Sequence, residues 1–127
     1  MAFYQQAHAK TKEFHLTLEN HVFTPSELKI PANEKVKLII HNRDKVAEEF
    51  DSFDLNREKV IFPNKKTTIF IGPLPKGRYE FFGEYNPNSA RGAVIVKPQN
   101  EIINPTLNQA SLNQVSLLKS KLGYSEV

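Results

Sequence analysis

The segment GPLPKGRYEFFGEYNPNSARGAVIV, residues 72–96, contains two strand-like runs and the loop that joins them. In the first run Tyr79, Phe81 and Gly83 share one side of an extended chain, because successive side chains in a strand point to opposite faces. Residues 86–89, NPNS, are a strong turn sequence with amide and hydroxyl groups that can hydrogen-bond the backbone. The segment therefore predicts two strands joined by a loop that holds its own shape.

Short apolar-alternating runs separated by turn residues extend over residues 12–98. Residues 13–19 alternate between apolar and polar side chains, and residues 31–42 contain a turn followed by a second strand with one apolar side, as expected for strands with one buried face. The pattern predicts one all-β domain, a sandwich of about seven strands. The inward residues predicted for these two strands are Phe14, Leu16, Leu18, Val36, Leu38 and Ile40.

The two ends of the chain differ from this middle part. Residues 1–11 include AHA at 7–9, the small-x-small pattern that precedes a signal-peptidase cut, so they are either a remnant of a signal peptide or unrelated to export. Residues 99–127 form a C-terminal extension in which proline and glycine punctuate an amphipathic helix predicted over 105–122. That helix either packs on the sandwich or docks on a partner or an identical chain.

Composition limits the function classes. The chain has 127 residues and a net charge of +3, without the basic run and interleaved aromatics typical of nucleic-acid binding. It has no cysteine, which excludes disulfides, zinc ribbons and thiol catalysis. No apolar run is long enough to span a bilayer. No nucleophile motif, phosphate-binding glycine loop or helical histidine pair is present, so the residues themselves do not predict an enzyme.

Two motifs are more specific in combination than either is alone. Residues 23–31 read F-x-P-x-x-L-x-I-P, and residues 72–81 read G-P-L-x-x-G-x-Y-x-F. Together with EEFDSFDL at 48–55 and ARGAVIV at 90–96, they make residues 12–98 resemble a cupredoxin domain. The resemblance is to the EfeO-type branch found in bacterial periplasmic iron-uptake systems.

The resemblance implies a Greek-key β-sandwich with a metal site at one end, built from the strand near Glu48 and the loop at residues 83–92. It also implies a periplasmic accessory protein of iron or copper uptake that works beside an iron permease or a sister periplasmic subunit. Only this analogy would support ferrous oxidase activity.

A blue-copper centre needs a thiolate and two imidazoles, usually with a distant thioether. The family's first histidine maps to Glu48, in phase with Phe50, and its cysteine maps to Gly83. The loop histidine falls near Asn86 and the methionine near Ala90. All four ligand positions therefore depart from the family pattern, and we expect no type 1 copper site.

Carboxylates remain as candidate ligands at this end. They suit hard cations such as iron better than cuprous copper, so an iron or copper ion is the expected cofactor if there is one. His41 could complete the set. Alternatively, the acids are solvated residues balanced by Arg43, Lys45 and Arg57, and strand alternation sends Glu84 to the face opposite Gly83. The predicted metal ligands are Glu48 and Glu84, then Glu49 and Asp51.

Two functions follow from these observations. The first is an accessory protein of metal uptake that binds an ion through carboxylates or presents a surface to a permease or sister subunit. The second is a metal-free β-sandwich used as an interaction module, with the tail helix and exposed aromatics such as Phe82 or Tyr85 making the contact. Arg91, next to the loop, would be free to pair with one of the carboxylates, which is the alternative to a bound ion there.

Overall fold

The computed structural model describes residues 10–102 of the chain. Within this range there are nine β-strands and one short helix, which confirms the predicted all-β fold but corrects the predicted number of strands. The bounds are β1 Glu13–Glu19, β2 Val22–Thr24, β3 Glu27–Pro31, β4 Val36–Asn42, β5 Glu48–Ser52, β6 Arg57–Ile61, β7 Lys66–Ile71, β8 Gly77–Gly83, β9 Arg91–Lys97 and α1 Gln99–Ile102.

The strands form two mixed sheets. One sheet has the order β2-β1-β4-β7, and the other has the order β3-β9-β8-β5-β6. In the first sheet β1 runs parallel to β4, and in the second β3 runs parallel to β9, whereas the other neighbours are antiparallel. The candidate site lies in the five-stranded sheet, where β5 and β8 are adjacent.

One reason for the higher strand count lies in residues 22–30. This extended run contains two strands that belong to different sheets, because β2 pairs with β1 and β3 pairs with β9. Pro25 lies between them and has no N–H to donate to a strand ladder. The chain therefore leaves one sheet at the proline and enters the other.

The core lies between the sheets and uses the faces that alternation predicts. Phe23, Phe50 and Phe81 form its aromatic centre, with ring centroids 5.1 to 6.2 Å apart. Burying each such side chain contributes roughly 1.5–3 kcal/mol. The contact between Phe50 and Phe81 also holds β5 against β8. Of the inward residues predicted for β1 and β4, Phe14 is partly buried and the others are fully buried: Leu16, Leu18, Val36, Leu38 and Ile40.

A buried polar side chain, that of Asn42 at the end of β4, fixes the connection to β5. Its Nδ2 donates to the backbone carbonyls of Val46 at 2.8 Å and Ile61 at 3.0 Å. Its Oδ1 accepts the N–H of Asp44 at 2.9 Å. Because these bonds tie the β4–β5 connection to the end of β6, the first residue of β5 is held in a defined position.

The short helix α1 follows β9 and contacts β3. The amphipathic helix predicted for residues 105–122 lies outside the described residues, as does most of the N-terminal segment, residues 1–11. Within the described range no helix has the length and hydropathy needed to cross a membrane.

Candidate functional site

Glu48, the first residue of β5, points into the sandwich on the same side as Phe50, as the strand parity predicts. It is only 1% exposed. Its Oε1 accepts the backbone N–H groups of Glu49 and Tyr85, each at 2.9 Å. Its Oε2 accepts Nδ2 of Asn86 at 2.8 Å. Three donors from β5 and the loop after β8 therefore converge on one buried carboxylate.

The loop at residues 83–90 keeps its shape through its own backbone. The N–H of Gly83 donates to the carbonyl of Ala90 at 2.7 Å, and the N–H of Ala90 donates to the carbonyl of Asn86 at 2.9 Å. Arg91 donates from its guanidinium to the carbonyl of Pro87 at 2.9 Å. The prediction of a self-supporting loop is confirmed. The alternative pairing of Arg91 with a carboxylate is not formed among the described residues, and the guanidinium bonds the loop instead.

The Glu48 carboxylate lies directly against Gly83. A Cβ atom built on Gly83 would be 2.6 Å from Cδ and 2.8 Å from Oε2 of Glu48, and 2.7 Å from Cβ of Ala90. Real Cβ atoms do not approach neighbours so closely. The space that a side chain at residue 83 would occupy is therefore filled by the Glu48 carboxyl group. The sequence predicts that four residues lie together at one end of the sandwich, and the structure brings them together: Glu48, Gly83, Asn86 and Ala90.

This group of residues does not fit a copper ion. It offers neither sulfur nor imidazole, and Asn86 turns its NH₂ group, which cannot ligate a cation, toward Glu48. Both oxygens of Glu48 already accept hydrogen bonds from protein donors. Across residues 10–102 there is no group of three or more His, Cys, Asp or Glu side chains that could hold a metal ion.

The structure does not bring the four predicted carboxylate ligands together. Glu48 is inside, whereas Glu49 and Asp51 alternate to the outer side of β5 and Glu84 is exposed. The three outer acids are joined by Glu58, which sequence reasoning missed. Glu58 lies opposite Asp51 in the pairing of β5 with β6, and this register is the information that would have identified it.

The other outer acids act on Glu49. A hydrogen bond that the protonated Glu49 carboxyl donates to Glu58, partial burial, and the negative charges of Glu58, Asp51 and Glu84 raise the pKa of Glu49 from its ordinary value of 4.5 to about 7. In the described part of the chain, no ion pair between a basic side chain and these acids is formed. The acidic cluster is therefore not neutralised by neighbouring cationic side chains.

Two of the basic residues expected to balance these acids, Arg43 and Arg57, have other partners. Arg43 approaches Glu19 at 3.7 Å, and Arg57 donates to the carbonyl of Phe70 at 3.1 Å. His41 lies on the opposite side of β4 from the buried Asn42, so it faces away from the core and does not join Glu48. The sequence thus located the position of Glu48 correctly but not the partners of the outer acids.

Aromatic side chains adjoin the acidic cluster on the outer face of the five-stranded sheet. Phe82 lies opposite Asp51 in the ladder, and its ring centroid is 5.7 Å from that of Phe53, which is 81% exposed. The Arg91 guanidinium lies 5.9 Å from the Phe82 centroid. We call Glu49, Asp51, Glu58 and Glu84 with Phe53 and Phe82 the acidic-aromatic face.

The two mixed sheets, packed around one core, form a β-sandwich of the cupredoxin-like type. A family model described as the cupredoxin-like domain matches residues 1–96, and the chain belongs to this family. An uncharacterized protein of Rickettsia prowazekii (strain Madrid E) is 42% identical over 84 residues, which cover 66% of this chain and 67% of that protein.

Solved structures of copper proteins are similar at low sequence identity. Auracyanin A, a blue copper protein of Chloroflexus aurantiacus, has a TM-score of 0.59 at 11% identity, with 69% of this chain and 100% of that chain covered. The metal binding domain of the Cu(I)-exporting P-type ATPase CopA of Streptococcus pneumoniae D39 has a TM-score of 0.57 at 15% identity, with 67% and 84% covered. A purple cupredoxin from Nitrosopumilus maritimus has a TM-score of 0.51 at 18% identity, with 68% and 99% covered. These similarities show the fold.

Proposed function

We propose that this protein is a cupredoxin-like interaction module that works without a copper centre, as a periplasmic accessory component of metal uptake. The observation that carries the proposal is the Glu48 carboxylate. It is buried and accepts three hydrogen bonds at the position where the ligands of a copper ion would have to lie. Glu48, Gly83, Asn86 and Ala90 are interpreted as replacements of the four copper ligands.

The hydrogen bonds of Glu48 weigh against metal binding at this end of the sandwich. Hydrogen bonds to a charged group contribute about 1.5–3 kcal/mol each. An ion coordinated by Glu48 would have to replace bonds from Tyr85 and Asn86, which would leave partly buried donors unsatisfied. Within residues 10–102, no group of three or more His, Cys, Asp or Glu side chains offers the further ligands that would offset that loss.

The role in metal uptake is supported by the resemblance to EfeO-type domains. The structural similarity to the metal binding domain of a Cu(I)-exporting ATPase, at 15% identity, supports the fold alone. In this proposal the partner is an iron permease or a sister periplasmic subunit, and the domain contributes a surface.

The surface proposed for this contact is the acidic-aromatic face. Its carboxylates lack basic partners within the described residues, while Phe53 and Phe82 supply apolar area beside them. A shallow cavity of about 170 Å³ lies next to these aromatics and is lined also by Asp54, Glu80 and Arg91. Charge complementarity selects a basic amphipathic segment of a partner protein as the occupant.

A peptide titration tests this surface. The probe is a lysine- and leucine-rich peptide of about 18 residues, or five helical turns. We expect saturable, salt-sensitive binding that Asp51→Lys with Glu58→Lys abolishes. The control is Glu13→Lys with Glu19→Lys, on β1 of the other sheet, which gives the same net charge. Equal loss of binding in both variants, or no binding by the wild type, would refute the surface.

The alternative function is metal binding through carboxylates, by Glu48 and Glu84 with Glu49 and Asp51 as the sequence predicts. Equilibrium dialysis of the metal-stripped chain against ferric, ferrous, cupric and cuprous ions separates the two. The proposal predicts no stoichiometric binding by the wild type. Binding of one ion per chain that is lost in Glu48→Gln with Glu84→Gln would instead support the alternative.

A further inference from the structure

The geometry points to a carboxylate-binding pocket at the loop end of the sandwich, permanently occupied by the side chain of Glu48. Its donors are the N–H groups of Glu49 and Tyr85 and the Nδ2 group of Asn86, at 2.8 to 2.9 Å from the carboxylate oxygens. Three donors that converge on one point favour an anion over a cation there. The inference stands apart from the partner surface, because it concerns the interior.

The pocket does not depend on Glu48 for its shape. The loop is closed by the bonds from Gly83 to Ala90 and from Ala90 to Asn86, and the N–H of Glu49 belongs to a strand paired on both sides. Donors held by other contacts should remain in place when the carboxylate is removed. Such preorganised hydrogen-bond donors require little ordering when a ligand enters.

The pocket matches a carboxylate in size. Replacing Glu48 by alanine removes Cγ, Cδ and both Oε atoms, which are the four heavy atoms of acetate. One wall consists of Gly83, against which that carboxyl group lies. Ala90 lies beside Gly83, and neither residue carries a polar side-chain atom. Acetate should therefore restore both the hydrogen bonds and the lost packing, whereas chloride lacks the shape to do so.

In the native protein, Glu48 acts as a positioning residue for the loop. Its bond to the N–H of Tyr85 fixes the backbone of a residue whose side chain is 53% exposed at the surface. The side chain thus links the interior of β5 to an exposed aromatic group. We expect loss of the carboxylate to leave the N–H of Tyr85 without its acceptor, while the bonds that close the loop, from Gly83 to Ala90 and from Ala90 to Asn86, remain.

Acetate rescue of the full-length Glu48→Ala variant tests the pocket. Thermal unfolding is followed by circular dichroism in sodium acetate and in sodium chloride of equal ionic strength. Acetate at about five times its dissociation constant should raise the unfolding temperature by roughly 4–8 °C relative to chloride. The matched control is Ile61→Ala, because Ile61 lies opposite Glu48 and is equally buried. Its truncation leaves a cavity without the three donors, so acetate should not rescue it.

Three results would overturn the inference: no acetate effect on Glu48→Ala, equal effects on both variants, or rescue by cupric or ferrous ions in place of acetate. If Glu48→Ala does not fold in any buffer, Glu48→Gln replaces it. In that variant the amide protons of Glu49 and Tyr85 should exchange with solvent faster than in the wild type, and unchanged exchange rates would contradict the inference. Neither readout involves a partner or the wild-type metal affinity, so failure of this pocket is distinguishable from failure of the proposed function.

Discussion

Adding one methyl group at Gly83 should be unusually destabilising. The new Cβ would lie within 2.6 to 2.8 Å of Glu48 and Ala90. Ala90 cannot retreat, because its Cβ is attached to a backbone that is hydrogen-bonded to Gly83 at 2.7 Å. The carboxyl group of Glu48 must therefore move, although both of its oxygens are held by the loop and by β5.

The size of the effect follows from these contacts. Overpacking a core position costs about 1–3 kcal/mol, and weakening a hydrogen bond to a charged group costs about 1.5–3 kcal/mol. The reduced freedom of the unfolded chain returns about 0.4–1 kcal/mol. We therefore expect Gly83→Ala to lower the free energy of unfolding by about 2–5 kcal/mol, which corresponds to at least roughly 8 °C in unfolding temperature for a domain of this size.

Urea denaturation followed by circular dichroism measures this change. The matched control is Gly77→Ala at the start of the same strand, where the nearest atom to the new Cβ, Cε2 of Tyr79, is 3.4 Å away. That variant should stay within about 1 kcal/mol of the wild type. If Gly83→Ala were as stable as Gly77→Ala, the close packing of Glu48 against the loop would be refuted.

Three further predictions concern the acids and the β4–β5 connection. Because the pKa of Glu49 is raised to about 7, the folded state retains a proton that the unfolded chain loses near pH 4.5, so stability should decline as pH rises between these values. Glu58→Gln should flatten that decline in urea titrations at several pH values, and a steeper decline would contradict the role of Glu58 in raising this pKa. Asn42→Ala should cost about 2–4 kcal/mol in urea denaturation, because it leaves two carbonyls and an N–H without their partner. Asp44→Ala should cost about 1–3 kcal/mol by the same assay, since its carboxylate accepts the N–H groups of Asn20 and His21 in their left-handed turn. Wild-type stability in either variant would refute the role given to the side chain that was removed.

Alternation along the strands made much of the fold predictable. The inward faces of β1 and β4 follow from apolar residues at every second position, and the same parity places Glu48 with Phe50 and Gly83 with Phe81. These are local properties of an extended chain. They determine which side of a sheet a residue occupies, but not which strand lies beside it.

Features that depend on contacts between distant segments were not predictable from the residues. Glu58 joins Asp51 only through the register of β5 with β6. The hydrogen bonds of Glu48 depend on the direction of backbone N–H groups in the loop after β8, and side-chain identity does not encode that direction. A carboxylate that looked like a metal ligand is consequently a hydrogen-bond acceptor for its own chain.

Nuclear magnetic resonance of the metal-stripped chain during titration with cuprous, cupric and ferrous ions tests most directly whether Glu48 takes the place of a metal. The relevant signals are the backbone amide of Tyr85 and the side-chain amide of Asn86, both bonded to Glu48. We predict that both signals keep their chemical shifts up to one equivalent of each ion. Both amides should also continue to exchange slowly with solvent. Saturable changes of these two signals at one equivalent of any ion would contradict the account.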